Sequence, residues 1–152
     1  MTQNTGVWTP KPKKEDWRFG AETGIVFNAI KPDGDWSPAL PYGESQFLGS
    51  ETYACVTYST LHKIATPLNN LLVLNMIPAA DLQKCKDWGY IDNTGKFRFS
   101  PRFTAKHSGT VYQGLNKGNG LTNVGDDVRK FGLIPYAMYP SEGVVTVDEY
   151  YK

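Results

Sequence analysis

Ser50-Glu51-Thr52-Tyr53-Ala54-Cys55-Val56-Thr57-Tyr58-Ser59-Thr60-Leu61-His62, continuing to Asn69-Asn70-Leu71-Leu72, is the stretch that decides the fold. Ala54, Tyr58, Leu61, Ala65 and Leu68 recur at i, i+4, i+7, i+11 and i+14, one stripe of an α-helix. Ser50 or Thr52 is placed to cap its start, and Glu51 puts a negative charge where the helix dipole favours one. Cys55 falls in the first turn, about one position round from the stripe, over backbone N–H groups that lack helical partners and favour a thiolate. Two roles compete for such a residue. It is the place to build a nucleophile, yet free cysteines are among the most buried residue types and commonly serve as small hydrophobes.

Outward from this helix, the chain has the size and composition of one folded domain. It has 152 residues, 40% hydrophobic and 13% aromatic, enough for a core of its own. Sixteen basic residues against fifteen acidic give a net charge of +1, with no bias toward nucleic acid or an anionic membrane. Cys55 and Cys85 lack metal-ligand spacing and make no disulfide framework, which points to a reducing compartment or to free thiols. No apolar run is long enough to span a bilayer, and Met1-Thr2-Gln3-Asn4-Thr5 lacks a signal peptide's apolar core. A chain with no membrane contact and no export signal is expected.

Residues 1–20 are polar and broken by Pro10 and Pro12, and read as an extended N-terminal arm. Trp8 and Trp17 could anchor it on the domain, residues 21–152, or on a partner. Ile25-Val26-Phe27 suggests a short strand, and Lys31-Pro32-Asp33-Gly34-Asp35 a turn. A loop from Trp36 to Gly49 delivers Gln46 ahead of the helix. Pro67 removes a donor, so the helix is expected to end or kink near Thr66. Ala79 to Trp88 reads as a second helix with Gly89 at its C-terminus, and Asp92-Asn93-Thr94-Gly95 as a turn. Ser100-Pro101 opens a short helix carrying Phe103. Leu121, Val124, Val128 and Phe131 form the stripe of a further helix closed by Gly132. The tail Val144–Lys152 shows no clear element.

Several of these landmarks together resemble the N-terminal half of papain-like cysteine peptidases. Gln46 precedes a helix opening Ala54-Cys55-Val56-Thr57-Tyr58-Ser59. Phe99-Ser100-Pro101-Arg102-Phe103 is similar to the family's Leu-Ser-Glu-Gln segment. Gly118-Asn119-Gly120, an amphipathic helix, Gly132-Leu133-Ile134 and Tyr139-Pro140 follow in the family's order, so the likeness covers residues 40–143. The flavour of residues 51–59 and 103–110 resembles divergent members from bacteriophage and bacterial genomes. The resemblance implies an α+β fold: the mainly helical lobe of a papain-like fold, with long loops and few short strands, the second, β-rich lobe missing. It implies Cys55 as nucleophile, Gln46 as oxyanion donor, and Gly118, Asn119 and Gly120 as the backbone strip that pairs with an extended peptide.

This chain departs from the pattern at several points. Gln46 lies further upstream of Cys55 than is usual, Val56 replaces the aromatic that follows the cysteine, and the family's disulfide cysteines are absent. The family's general-base histidine and its asparagine partner lie on the β-rich lobe. Here only His62 and His107 are present. His62 sits on the Cys55 helix about 10 Å of rise away, too far for the ~3 Å that a nucleophile–base pair needs. It is expected to cap or pack, and His107 belongs to the helical lobe rather than a cleft wall.

Two functions follow. One is a peptidase lobe, incomplete alone, acting on peptide or protein once another chain supplies the base. The other is a structural or binding component, as in a phage particle, that keeps the lobe and docks on another protein chain. The corresponding locations are the cytoplasm and the virion. A transglutaminase-like or amidase-like enzyme also places a cysteine at a helix start and needs a histidine too. No cofactor is implied. Gly114–Gly120 lacks the P-loop ending, Asp33-Gly34-Asp35 and Asp126-Asp127 are too sparse for a calcium loop, and no His/Cys cluster suits zinc, so no metal site is expected.

Overall fold

The computed structural model describes Asp35 and residues 37–152, together with the backbone of Val7–Trp8. The expected N-terminal arm of residues 1–20, apart from the Val7–Trp8 backbone, the expected strand at Ile25–Phe27, residues 31–34 of the turn and the Trp17 anchor lie outside the described residues. Those described are mainly helical with few short strands, consistent with α+β at a coarse level. Strand β1 (Val7–Trp8) is followed by helix α1 (Cys55–Val73), α2 (Ala79–Asp87), α3 (Pro101–His107), strand β2 (Asn119–Gly120), α4 (Leu121–Phe131) and α5 (Val147–Tyr150). Short 3-10 turns occupy Ser37–Ala39 and Tyr136–Met138.

Helix α1 is the spine, and the stripe read from the sequence is its buried face. Ala54, Tyr58, Leu61 and Ala65 are buried, Leu68 partly so. The face serves two apolar clusters in turn. Near its start, Ala54 and Tyr58 pack with Ala105, Val144 and Tyr150. Further along, Leu61 and Ala65 pack with Phe97 and Phe99. Pro67 does not end the helix, contrary to expectation. It is exposed, on the side of the helix away from the buried stripe. Beyond it, packing of Leu68 and Leu72 holds the last turns.

The start of α1 also differs from its reading. The N-cap is Ala54, without a side-chain cap. Thr52 instead donates its hydroxyl to the Gln46 carbonyl at 2.8 Å, and Glu51 accepts from the Tyr53 amide at 2.9 Å. Phe47 and Glu51 bridge in antiparallel fashion, closing a small hairpin whose Gly49 has φ +88°. A Cβ there would lie 3.2 Å from the Val145 carbonyl oxygen, so glycine suits both the turn and the close approach.

Local chemistry explains the remaining elements. Ser100 caps α3, accepting from the Phe103 amide at 3.1 Å with Pro101 at the first position. Asp92 Oδ1 accepts from the Thr94 and Lys96 amides and anchors the expected turn. Gly132 ends α4 at φ +75°, but of its stripe only Val124 is fully buried, while Leu121 and Phe131 are exposed. The tail is not featureless. Thr146 caps α5, accepting from the Glu149 amide at 3.2 Å, while Glu149 Oε2 reaches the Val145 amide, much as a capping box does.

Candidate functional site

Cys55 is the first residue of α1 and is partly exposed. Its own backbone N–H and that of Val56 favour the thiolate, as expected of a helix start. They do not prevail. Burial is the largest influence and pushes the thiol above its ordinary value, and the Glu51 carboxylate adds to this. The backbone N–H effect expected from the sequence is thus present but is outweighed by burial.

Two residues before Cys55, Tyr53 takes φ +58°, a left-handed conformation uncommon for a bulky residue. It turns the chain sharply from the hairpin into α1. Its hydroxyl accepts from Lys117 Nζ at 3.0 Å, and the same ammonium lies 4.5 Å from its ring centroid. Lys117 directly precedes Gly118-Asn119-Gly120. One contact therefore ties the approach to Cys55 to the strip that the sequence selected, across 64 positions. Gln46 is joined to the same approach through its main chain and Thr52.

The strip itself divides in two. Gly118 gives its N–H and C=O to Val111, at 2.7 and 3.0 Å. Asn119 and Gly120 form β2 and pair in parallel with Val7 and Trp8. An extended segment of this chain thus lies along the edge assigned to a peptide. Asn119 is 1% exposed, and its side chain braces the strip from within. Its Nδ2 donates to the Ser108 carbonyl at 2.8 Å and to Thr110 Oγ1 at 3.2 Å. Its Oδ1 accepts from the Gly120 amide at 2.8 Å and from Asn123 at 3.1 Å.

Neither histidine joins the site. His62 is half-buried on α1 with Nε2 unpartnered among the described residues, and burial lowers its pKa. His107 lies against Phe103 and Phe131, with ring centroids 4.4 and 5.4 Å away. The tail reaches the start of α1, where Tyr150 packs in one cluster with Ala54. Tyr151 donates to the Thr52 carbonyl at 2.7 Å and stacks on Tyr112 at 4.3 Å. Sequence reasoning missed Tyr53, Lys117 and Tyr151. Nothing local marks the last two, because each acts through a partner far along the chain.

Among the described residues no group of three or more His, Cys, Asp or Glu side chains could hold a metal ion. No helix among them is long and apolar enough to cross a membrane. Comparison of the chain with family models, with curated proteins and with solved structures returns no match.

Proposed function

We propose that this chain is the helical lobe of a papain-like cysteine peptidase, with Cys55 as its nucleophile, completed by a histidine from another chain. The observation that supports it best is Cys55 at the first position of α1, with its own and the following N–H acting on the sulfur. In the reaction, the sulfur attacks a peptide carbonyl carbon, and the resulting oxyanion is held by the Cys55 N–H and the Gln46 side-chain amide. The supplied imidazole takes the thiol proton and returns it to the amine as the C–N bond breaks. The Asn119–Gly120 edge, paired here with Val7 and Trp8, would take the extended substrate in place of that segment.

A second reading has its own support: a partly buried thiol whose pKa is raised by that burial suits a binding component of an assembly, such as a phage particle. The two part on alkylation by iodoacetamide. For the peptidase, products of neighbouring reading frames that bind the chain speed modification of Cys55 at neutral pH by about tenfold or more over Cys85. The gain follows from a thiolate paired with imidazolium. Equal and slow labelling of both cysteines, with and without those products, leaves the binding component standing.

A further inference from the structure

Arg98 stands in a polar cavity that the Cys55 site does not use. The cavity holds about 210 Å³ and is walled by Tyr42, Tyr58, Tyr136, Glu44, Glu142 and Ser141, among others. Arg98 Nε donates to Glu44 Oε1 at 2.5 Å and Nη2 to Glu142 Oε1 at 3.0 Å. Its guanidinium lies 3.4 Å from the Tyr136 ring centroid and 4.7 Å from that of Tyr42. One cation is therefore shared between two carboxylates, and the group is one positive charge short of neutral.

Three further observations bear on that shortfall. The Glu44 side chain is 10% exposed, and burial, with Glu142 and Asp92 adding to it, holds its carboxyl above the ordinary range although Arg98 lies alongside. Ser141 is 4% exposed, and its Oγ, which faces the Tyr58 hydroxyl, completes no well-formed hydrogen bond among the described residues, an uncommon state for a buried hydroxyl. Tyr42 and Glu142 are both half-exposed or more, so the cavity opens beside an aromatic ring and a carboxylate.

We propose that this cavity binds an alkylammonium ion. An –NH3+ group carries three donors and no acceptor, which suits the Glu44 and Glu142 carboxylates and Ser141 Oγ. With Arg98 over the Tyr136 and Tyr42 rings, the Tyr58 wall is left to suit its alkyl stem. An anion would meet two carboxylates with their one cation already engaged. The volume, below the roughly 300–1,000 Å³ of drug-sized ligand sites, fits a short aliphatic amine or the end of a lysine side chain.

The test is calorimetric titration of the full chain with n-butylamine, with N-acetyl-lysine methylamide and with n-butanol, at fixed ionic strength. Saturable binding of either amine, absent for butanol, is expected. Glu142→Gln, at a side chain 65% exposed and so safe for folding, weakens it by about tenfold, as loss of a charged hydrogen bond does. Ser141→Ala weakens it severalfold with unchanged circular dichroism. Binding of the lysine amide identifies a presented lysine as the source, and binding of butylamine alone a free amine. Equal uptake of butanol, affinity unmoved by Glu142→Gln, or no binding of either amine overturns the proposal.

Discussion

The Tyr151 hydroxyl donates to the Thr52 carbonyl at 2.7 Å, spanning 99 positions and joining the tail to the turn that launches α1. Tyr151 is otherwise held by stacking on Tyr112 and an edge contact with Tyr150, so Tyr151→Phe removes only the hydroxyl's contacts, with the Thr52 carbonyl and with the Thr110 side chain. The expected loss is about 1 kcal/mol, read as a lower urea midpoint at unchanged slope. Because Thr52 lies three residues before Cys55, modification of Cys55 by a bulky disulfide reagent quickens in the same variant. A variant as stable as the parent, with unchanged thiol access, shows that the tail does not support the approach to Cys55.

Tyr53 at φ +58° carries a backbone cost that its contact with Lys117 offsets. Two substitutions separate these. Tyr53→Asn loses the Lys117 contact but tolerates the left-handed region, whereas Tyr53→Val loses the contact and is poorly suited to that conformation. Tyr53→Val is expected to be less stable than Tyr53→Asn by about 1–2 kcal/mol. Chemical denaturation of the pair measures it, and equal stabilities show that the turn relaxes out of the left-handed region.

Four phenols, three buried and Tyr151 partly so, set the alkaline limit. Burial is the leading cause that raises Tyr58, Tyr150, Tyr151 and Tyr136 above their ordinary 10.0, Tyr136 to about 12. The unfolded chain then releases these protons first. Stability is intact below about pH 10 and falls as pH rises above it, through the window up to the folded values. Phenolate absorbance followed against pH is expected to rise in one cooperative step coinciding with loss of helical circular dichroism. A gradual rise without unfolding shows that these hydroxyls reach water.

His62 sets a limit on the acid side. Burial holds its folded pKa below the ordinary 6.5, so the unfolded chain binds the proton first as pH falls. Its share of stability is present above about pH 6.5 and is lost as pH drops from there toward the folded value. Glu44, whose pKa is raised, acts oppositely: its contribution falls as pH rises above the ordinary 4.5. His62→Gln is therefore expected to flatten the fall of the urea midpoint just below pH 6.5 while leaving the Glu44 trend in place. An unchanged profile assigns the acid loss to other groups.

What the sequence reveals of this molecule is what neighbours along the chain determine. The α1 stripe from Ala54 to Ala65, the Ser100–Pro101 start of α3 and the Gly132 stop of α4 depend on periodicity and capping within a few residues. α5 was legible too, in Thr146-Val147-Asp148-Glu149, whose spacing is that of a capping box. Pro67 misleads because packing of Leu68 and Leu72 outweighs one lost backbone bond. The Cys55 thiol misleads for a related reason: its helix position is local, but its burial depends on distant elements. Arg98 joins Glu44 and Glu142 across 54 and 44 positions, and no local pattern announces such a cluster.

Asn119 shows how the strip selected for its backbone depends on a side chain. Every polar atom of that carboxamide is engaged inside the protein: Nδ2 with Ser108 and Thr110, Oδ1 with Gly120 and Asn123. Asn119→Asp keeps the shape but turns an acceptor toward the Ser108 carbonyl and buries a charge at a position 1% exposed. The expected cost is about 3 kcal/mol or more, above that of Asn119→Ala, which leaves its partners unpaired without a buried charge. Amide hydrogen exchange localises the effect: Gly118 and Gly120 lose protection first, ahead of amides in α1, because the strip is released before the spine. If Asn119→Asp stays within about 0.5 kcal/mol of the parent, the strip is held by the Val111 pairing and the Lys117–Tyr53 contact instead. The Asn119 side chain would then be a passenger on an edge shaped by its backbone.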